Sequence, residues 1–457
     1  MVPQLPAAFC HQMQELLGTD DAAKLFSALE REGPVSVRLN TAKAVGDELA
    51  TEGEVPWCQA GRYLSARPSF TLDPLFHAGT YYVQEASSMF VEQAFRVICG
   101  TFSPLRLLDL CAAPGGKSTL WRSLLPDDTL FVANEPVRSR AEILSENLAK
   151  WGNPDVVVTN AYPADFAPLG SFFDVIAADV PCSGEGMFRR DPSAREEWDA
   201  EAPVRCAARQ WGIIEEVWPA LREGGFLVYS TCTFNRQEDE DLVFRIAHEL
   251  GAELIEIPTL QAWGISGDTT GRNLPAYHFF PHRTRGEGFF LCLLRKTSSG
   301  GNGGKAPKAR RQKAETVPNA KLLSSWLLNA ENYKLFRSAE TQISAFRASL
   351  FEDAQRVASA ARTLRLGLPL AEEKGKKLIP APHLALSTVL SPEAFPHAEL
   401  DLPTALSYLR HEAIALPADA PRGYVVVCYQ GHPLGFANNL GARANNLYPA
   451  EWRIRKL

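Results

Sequence analysis

Nothing in this chain is long and apolar enough to span a bilayer. The N-terminal stretch MVPQLPAAFCHQ also lacks the basic segment and apolar run of a secretory leader. The expectation is a soluble, cytoplasmic protein with no membrane partner. An excess of positive charge is missing too: 47 Lys+Arg against 53 Asp+Glu leave a net charge of −6. Nothing global draws such a chain to nucleic acid, so any RNA contact has to be made by a local basic surface. The 9 cysteines include no CxxC pair, which indicates neither a zinc site nor a disulfide framework, and no metal is expected. No internal repeat is evident. What remains is an ordinary globular composition, 46% hydrophobic over 457 residues, enough for two or three domains.

Along the chain, FCHQMQELLGTDDAAKLFSAL reads as two short helices, the second capped by Asp20 or Asp21, and SVRLNTAK as a strand carrying Arg38 and Lys43. HAGTYYVQEASSMFVEQAF passes from a glycine turn into a helix. Its Gln84-Glu85 pair is read as a cap or packing contact rather than a catalytic dyad. From Leu105 the pattern becomes regular: LRLLDL, LFVANE, DVVVTN, FDVIAAD and GFLVYSTC are apolar runs of strand length, separated by helical patterns. Continuous apolar strands alternating with helices imply a parallel sheet covered on both faces, an α/β Rossmann-like arrangement. AELIEIP and GFFLCLLRK add two strands and close the domain near Lys296. TSSGGNGGKAPKARRQK then reads as a flexible basic linker. The tail is expected to be a separate small domain, mostly helical (AKLLSSWLLN; SAFRASLFEDAQRVASAAR) and then β, with a Gly-His-Pro hairpin turn in YVVVCYQGHPLGFANN. The divisions are residues 1–76, 77–296, 297–315 and 316–457.

The stretch LLDLCAAPGGKSTLW, Leu107 to Trp121, organises the whole: an apolar strand, a Pro-Gly-Gly turn, and a helix whose N-terminus offers free N–H groups. It is not a phosphate-wrapping P-loop, because Cys111 stands where that motif requires glycine. It is not a GxGxxG fingerprint either, since Ala112, Ala113 and Pro114 fill the turn. S-adenosylmethionine fits better, needing a tight turn beneath it and a carboxylate at the end of the next strand, where Glu135 stands. Two more strand ends then matter. Asp179, Pro181 and Cys182 close the fourth strand, and Cys232 closes the fifth, where ligands sit in open α/β sheets.

DLCAAPGGKS, DVPCSGEGMFRR and YSTCT resemble the cofactor loop, fourth motif and sixth motif of the RNA 5-methylcytosine methyltransferases. Within that family the chain is similar to the bacterial RsmF type, which acts on small-subunit ribosomal RNA near the decoding site. The likeness runs nearly the whole length. LPAAF…LLG, SVRLNTAK and YYVQEASSM match the N-terminal part, FFPHRTRGEGFF the end of the catalytic domain, and GFANN…NNLYPAEWRI a PUA-like end. The resemblance implies an N-terminal α+β RNA-binding extension, a Rossmann-like methyltransferase domain and a PUA-like RNA-binding module. It implies Cys232 as the nucleophile that adds to cytosine C6, Cys182 as the thiol assisting product release, and Asp179 against the N3/N4 edge of the base. It assigns Cys111, Ala112, Ala113, Pro114, Gly115, Gly116, Lys117, Glu135 and Arg140 to S-adenosylmethionine, with Asp179 also touching it.

One departure stands out. Ala161 and Tyr162 occupy the place of the family's acidic residue near the adenine, with Asn160 as a substitute or Tyr162 packing on the ring as alternatives. Arg189 and Arg190 are read either as phosphate contacts or as solvated surface arginines. The expected partner is 16S rRNA or the 30S subunit, the tail and linker supplying RNA affinity to a monomer. The alternatives are methylation of tRNA, or an assembly factor that has lost catalysis. A DNA enzyme would use Cys182 as nucleophile and need a large target-recognition insertion, which the sequence lacks.

Overall fold

The computed structural model describes residues 3–43, 49–101, 105–297 and 317–455. The expected linker, after Thr297, lies outside the described residues. Among the described residues no helix is long and apolar enough to cross a membrane.

The chain begins with helices Ala7–Leu17 and Thr19–Leu29. Gly18, at φ 80°, stands between them and caps the second, so neither Asp20 nor Asp21 does. Asp21 instead accepts from His282 at 3.0 Å and pairs with Arg283, tying the helix to the segment that precedes the long strand ending at Lys296. Phe9 inserts among Phe188, Trp198 and Phe234, so these helices pack behind the loop that follows Cys182. A four-stranded sheet follows, made of β1 (Val35–Leu39), β2 (Thr51–Glu54), β3 (Gly61–Leu64) and β4 (Tyr81–Val83) in the order β2-β3-β1-β4. β4 belongs to the extension, and a boundary at 76 would cut both this sheet and helix Pro74–Ala78.

The central sheet contains β5 (Arg106–Asp109), β6 (Leu130–Asn134), β7 (Val156–Thr159), β8 (Phe173–Asp179), β9 (Leu221–Thr231), β10 (Ala252–Ile255), β11 (Ala276–Phe279) and β12 (Phe289–Lys296). Its order is β10-β12-β9-β8-β5-β6-β7, with β11 on β12. β5 to β9 are mutually parallel, as their unbroken apolar runs require, while β12 runs antiparallel to β9 and pairs antiparallel with both β10 and β11. Connections leave β5 and β8 toward opposite sides, so a crevice opens above the carboxyl ends of this adjacent pair.

The tail departs from expectation. SAFRASL is largely strand: β13 (Tyr333–Arg337) and β14 (Gln342–Arg347) pair antiparallel before helix Phe351–Ala360. β15 (Thr363–Leu366) then joins the central sheet as its ninth strand, antiparallel to β7. The first part of the tail is therefore joined to the central sheet. A last four-stranded sheet turns at Gln430 (φ 50°) and Gly431 (φ 74°), both left-handed as a two-residue hairpin favours, so His432 and Pro433 are already in the strand.

Arg38 locks the extension to the helix of the Leu107–Trp121 stretch. It is fully buried and donates to Gln84 Oε1 (2.8 Å), Thr119 Oγ1 (2.6 Å), Ser123 Oγ and the Gly116 carbonyl, with its guanidinium over Trp151. Burial lowers its pKa to about 10, still far enough above neutrality to keep the charge. Gln84 is thus a structural acceptor, and Glu85 accepts from the backbone N–H groups of Ser87, Ser88 and Glu287, in keeping with a packing pair. Arg38→Ala should lower stability by about 3 kcal/mol, because buried acceptors lose their donor and a cavity opens. Urea unfolding followed by tryptophan fluorescence would measure it.

Candidate active site

β5 ends at Asp109 and the chain turns through Cys111 to Gly115 before helix Gly116–Leu124 begins. Gly115 has φ 118°, open to glycine alone at little cost, and a Cβ on Gly116 would lie 3.2 Å from the Tyr82 ring. The Ala113–Pro114 bond is cis. A cleft of about 280 Å³ opens above this turn, and Cys111, Ala112, Ala113, Pro114, Gly116, Lys117, Asp109, Asp179 and Cys232 all line it. Tyr82, Met187 and Phe289 form the apolar part of its wall.

Asp179, the last residue of β8, is held on both carboxylate oxygens. Lys117 Nζ donates to Oδ2 at 2.8 Å, and Ser230 Oγ on β9 donates to Oδ1 at 2.8 Å. Burial opposes the Lys117 charge, but Asp179, with Cys232 and Asp109 adding to it, raises the lysine's pKa. Each oxygen keeps a lone pair for a ligand N–H. Asp109 lies deeper, accepting from Ser118 Oγ at 2.6 Å, and burial pushes its carboxyl up to about 7.

The two cysteines meet. Cys182 Sγ lies 3.1 Å from Cys232 Sγ, and the Cys232 backbone N–H donates to Cys182 Sγ at 3.3 Å. The bond with Cys232, reinforced by burial, raises the Cys182 pKa well above that of an ordinary thiol, so Cys182 keeps its proton. Buried acids hold the two loops together. Glu185 accepts from Thr233 Oγ1, the Phe234 N–H and Gln12, while Glu238 accepts from the Ser183 N–H, Gln210 and Asn235. Beneath Thr231 lies a further buried trio, Asp239, Glu240 and His278, the one group among the described residues spaced closely enough to hold a metal. His278 Nε2 already contacts Glu240 at 2.9 Å, and Thr231 donates to Asp239 at 2.6 Å.

The remaining sequence candidates fall behind the cleft. Glu135 is buried at the end of β6, its Oε1 accepting from the Val137 N–H. Arg140 donates to the Ala113 carbonyl at 3.1 Å and lies 3.6 Å from Glu135 Oε2, so it braces the loop. Asn160 spends its amide on the carbonyls of Glu135 and Pro136, and Tyr162 is 69% exposed. Arg189 is neither solvated nor free for phosphate, since it pairs with Glu287 at 2.7 Å and bonds the Gly286 carbonyl. Arg190 is exposed at the cleft mouth. Sequence reading missed Asp109, Ser230, Glu185 and Glu238. Asp109 stood inside the organising motif, and only its burial distinguishes it from a strand cap.

A parallel sheet with this order, a glycine turn after its first strand and an acid closing its second is the Rossmann-like fold of the S-adenosylmethionine-dependent methyltransferases. Residues 104–295 match the family described as 16S rRNA methyltransferase RsmB/F, residues 5–86 the N-terminal domain of 16S rRNA methyltransferase RsmF, and residues 395–454 the methyltransferase RsmF PUA domain. The ribosomal RNA small subunit methyltransferase F of Erwinia tasmaniensis is 32% identical, the match covering 98% of this chain and 96% of that one. Its counterpart in Salmonella paratyphi A is 33% identical over the same shares. Among solved structures, a methyltransferase homolog protein from Pyrococcus horikoshii aligns with TM-score 0.54 and 26% identity over 63% of this chain and 94% of that one. NSun6 from Pyrococcus horikoshii with SFG shares the fold at TM-score 0.55 and 20% identity, over 65% of this chain and all 100% of that one. The chain belongs to the RsmF family of 16S rRNA methyltransferases.

Removing Cys232 removes the contact that raises Cys182. In Cys232→Ala the remaining thiol should ionise at lower pH than in the wild type. The alkylation rate of Cys182, followed by mass spectrometry across a pH series, would report this; an unchanged profile would mean that the contact does not control its proton.

Proposed function

We propose that this protein methylates C5 of cytosine in 16S rRNA through a covalent adduct between Cys232 and C6 of the base. The single observation that carries the reading is the pair of thiols 3.1 Å apart, one of which, Cys232, lines the same cleft as Asp179.

Cytosine C5 is a poor nucleophile until a thiolate adds to C6. Cys232 forms that S–C6 bond, and Asp179 accepts from the exocyclic N4–H as charge develops on the ring, its orientation fixed by Lys117 and Ser230. C5 then takes the methyl group; solvent water accepts the C5 proton, the C5–H electron pair restores the C5–C6 double bond, and the S–C6 pair leaves on the Cys232 sulfur. Cys182, kept protonated, is placed to hand a proton to the departing Cys232 sulfur. To reach the cleft the base leaves its stack.

The residues present fit S-adenosylmethionine. Asp109 and Asp179 present carboxyl groups that would face a sulfonium cation, and the Cys111–Gly116 turn gives a floor without bulk. The cofactor supplies an electrophilic methyl group.

Cys232→Ala should abolish methyl transfer, by about 1,000-fold or more. Cys182→Ala should leave an RNA–protein adduct that survives a denaturing gel. Two active single variants would sink the two-cysteine scheme. Tritiated methyl incorporation into 30S subunits, naked 16S rRNA and tRNA, with bisulfite mapping of the product, tests the substrate and the C5 position together.

Cofactor affinity should depend on pH through Asp109. Its free pKa of about 7 means that the acid is mostly neutral below that pH. A cationic ligand favours the anion, so binding should tighten as pH rises through 7 and should release a proton. Calorimetry in buffers of different ionisation enthalpy would count that proton, and Asp109→Asn should flatten the dependence.

A further inference from the structure

The catalytic cleft does not stop at Glu85 and Glu287. A second groove of about 360 Å³ opens from it and shares Val83, Gln84, Glu85, Arg190 and Glu287 as common wall. Its far side comes from the N-terminal extension, from Glu32 to Ser36 and from Arg67. We propose that this groove holds the nucleotide next to the target base, with Arg67 and Arg190 on the RNA phosphates. The proposal rests on the reading of the cleft as the pocket for a flipped base.

The free hydrogen-bond donors favour this occupant. The carboxylates of the shared wall already have partners: Glu85 accepts from three backbone N–H groups, and Glu287 is paired with Arg189 at 2.7 Å. Arg67 and Arg190 are both exposed, and neither guanidinium makes a hydrogen bond or ion pair among the described residues. Arg67 rests 5.6 Å over the Phe70 ring, a contact that uses the face of the guanidinium and none of its N–H donors. Glu32, the remaining acid of the groove, is exposed on the extension, where solvent screens it.

Shape favours it as well. Pro34, Val35 and Val83 supply an apolar surface against which a base can lie, and the volume is within the range of a small-molecule pocket. Continuity supplies the direction. A base drawn into the cleft leaves its flanking phosphates at the mouth, and Arg190 lines both spaces, where the linking phosphate has to pass. Phosphate contacts of this kind set register without reading sequence.

The test uses the full-length protein with Arg67→Ala, Arg67→Glu and Arg67→Lys. Initial rates of methyl transfer to 16S rRNA are measured at several salt concentrations, with cofactor affinity measured separately. Arg67→Ala should raise the KM for RNA on the order of 10-fold and reduce the salt slope of RNA binding by about 1. Arg67→Glu should do more, Arg67→Lys should recover most of the loss, and cofactor affinity should not move. A wild-type KM and salt slope in Arg67→Glu would overturn the proposal, as would a loss that Arg67→Lys does not rescue. If the wild-type protein methylates no cytosine, the catalytic reading fails instead. Filter binding of a 16S rRNA fragment by wild type and Arg67→Glu still decides the groove: weaker binding by the variant supports it, equal binding overturns it.

Discussion

The ion pair between Lys117 and Asp179 spans the point where the central sheet changes direction, and the geometry of the site is indexed to it. Lys117 lies in the first turn of the helix after β5, and Asp179 is the last residue of β8, the strand beside it. The register that sets Asp109 opposite Ala177 also sets Asp179 opposite Ser230 on β9. One carboxylate at the end of β8 therefore meets a group from each flank, Lys117 in the helix after β5 and Ser230 on β9. A slip of one residue in β8 would turn Asp179 to the other face of the sheet and break both bonds at once. Because Cys182 and Cys232 follow Asp179 and Ser230 closely along their strands, the register that aligns the oxygens also brings the sulfurs together.

Two thiols 3.1 Å apart impose a constraint of their own. Both cannot carry charge, since like charges at that distance repel strongly in a poorly solvated site. The pair must hold at least one proton, and the backbone N–H of Cys232 directed at Cys182 helps to fix the arrangement. Two equal cysteines thereby become unequal in role through position alone. The loops that carry them would drift without Glu185 and Glu238, whose lone pairs are filled by N–H and O–H donors from the opposite loop. Such acids can be buried because every oxygen finds a donor.

The parts legible in the sequence were those in which local pattern and tertiary demand agree. The strands from LRLLDL to GFLVYSTC are buried on both faces, so their composition alone marks them, and the glycine turn after β5 follows from backbone geometry. Where the two diverge, local reading failed. Asp20 and Asp21 look like caps, yet Gly18 takes that place because its φ of 80° suits the corner between the helices. SAFRASL has helix-forming residues but pairs with β13 on one side and strand Leu368–Lys374 on the other, and tertiary pairing overrides propensity. Arg189 and Arg190 are adjacent in sequence and opposite in fate, one neutralised by Glu287 and the other open at the cleft, a difference no spacing encodes.

β15 alters what the tail can mean. β7 would otherwise be the open edge of the central sheet, with unpaired backbone groups inviting another chain. β15 covers it, with Asn160 N–H donating to the Arg362 carbonyl at 2.8 Å and Gly367 N–H to the Val156 carbonyl at 2.9 Å. Phe346, Leu350, Phe351, Ala354 and Val357 from the tail bury into the same core as Leu108 and Val132. Cutting the chain after Lys296 would therefore uncover both an edge and an apolar face of the catalytic sheet. A division of labour in which the tail binds RNA and the central domain binds cofactor cannot be read from such a truncation, because the cut harms both. RNA contacts have to be separated by single charged residues on intact protein, which is the scale at which an acidic chain with a net charge of −6 must build a basic surface.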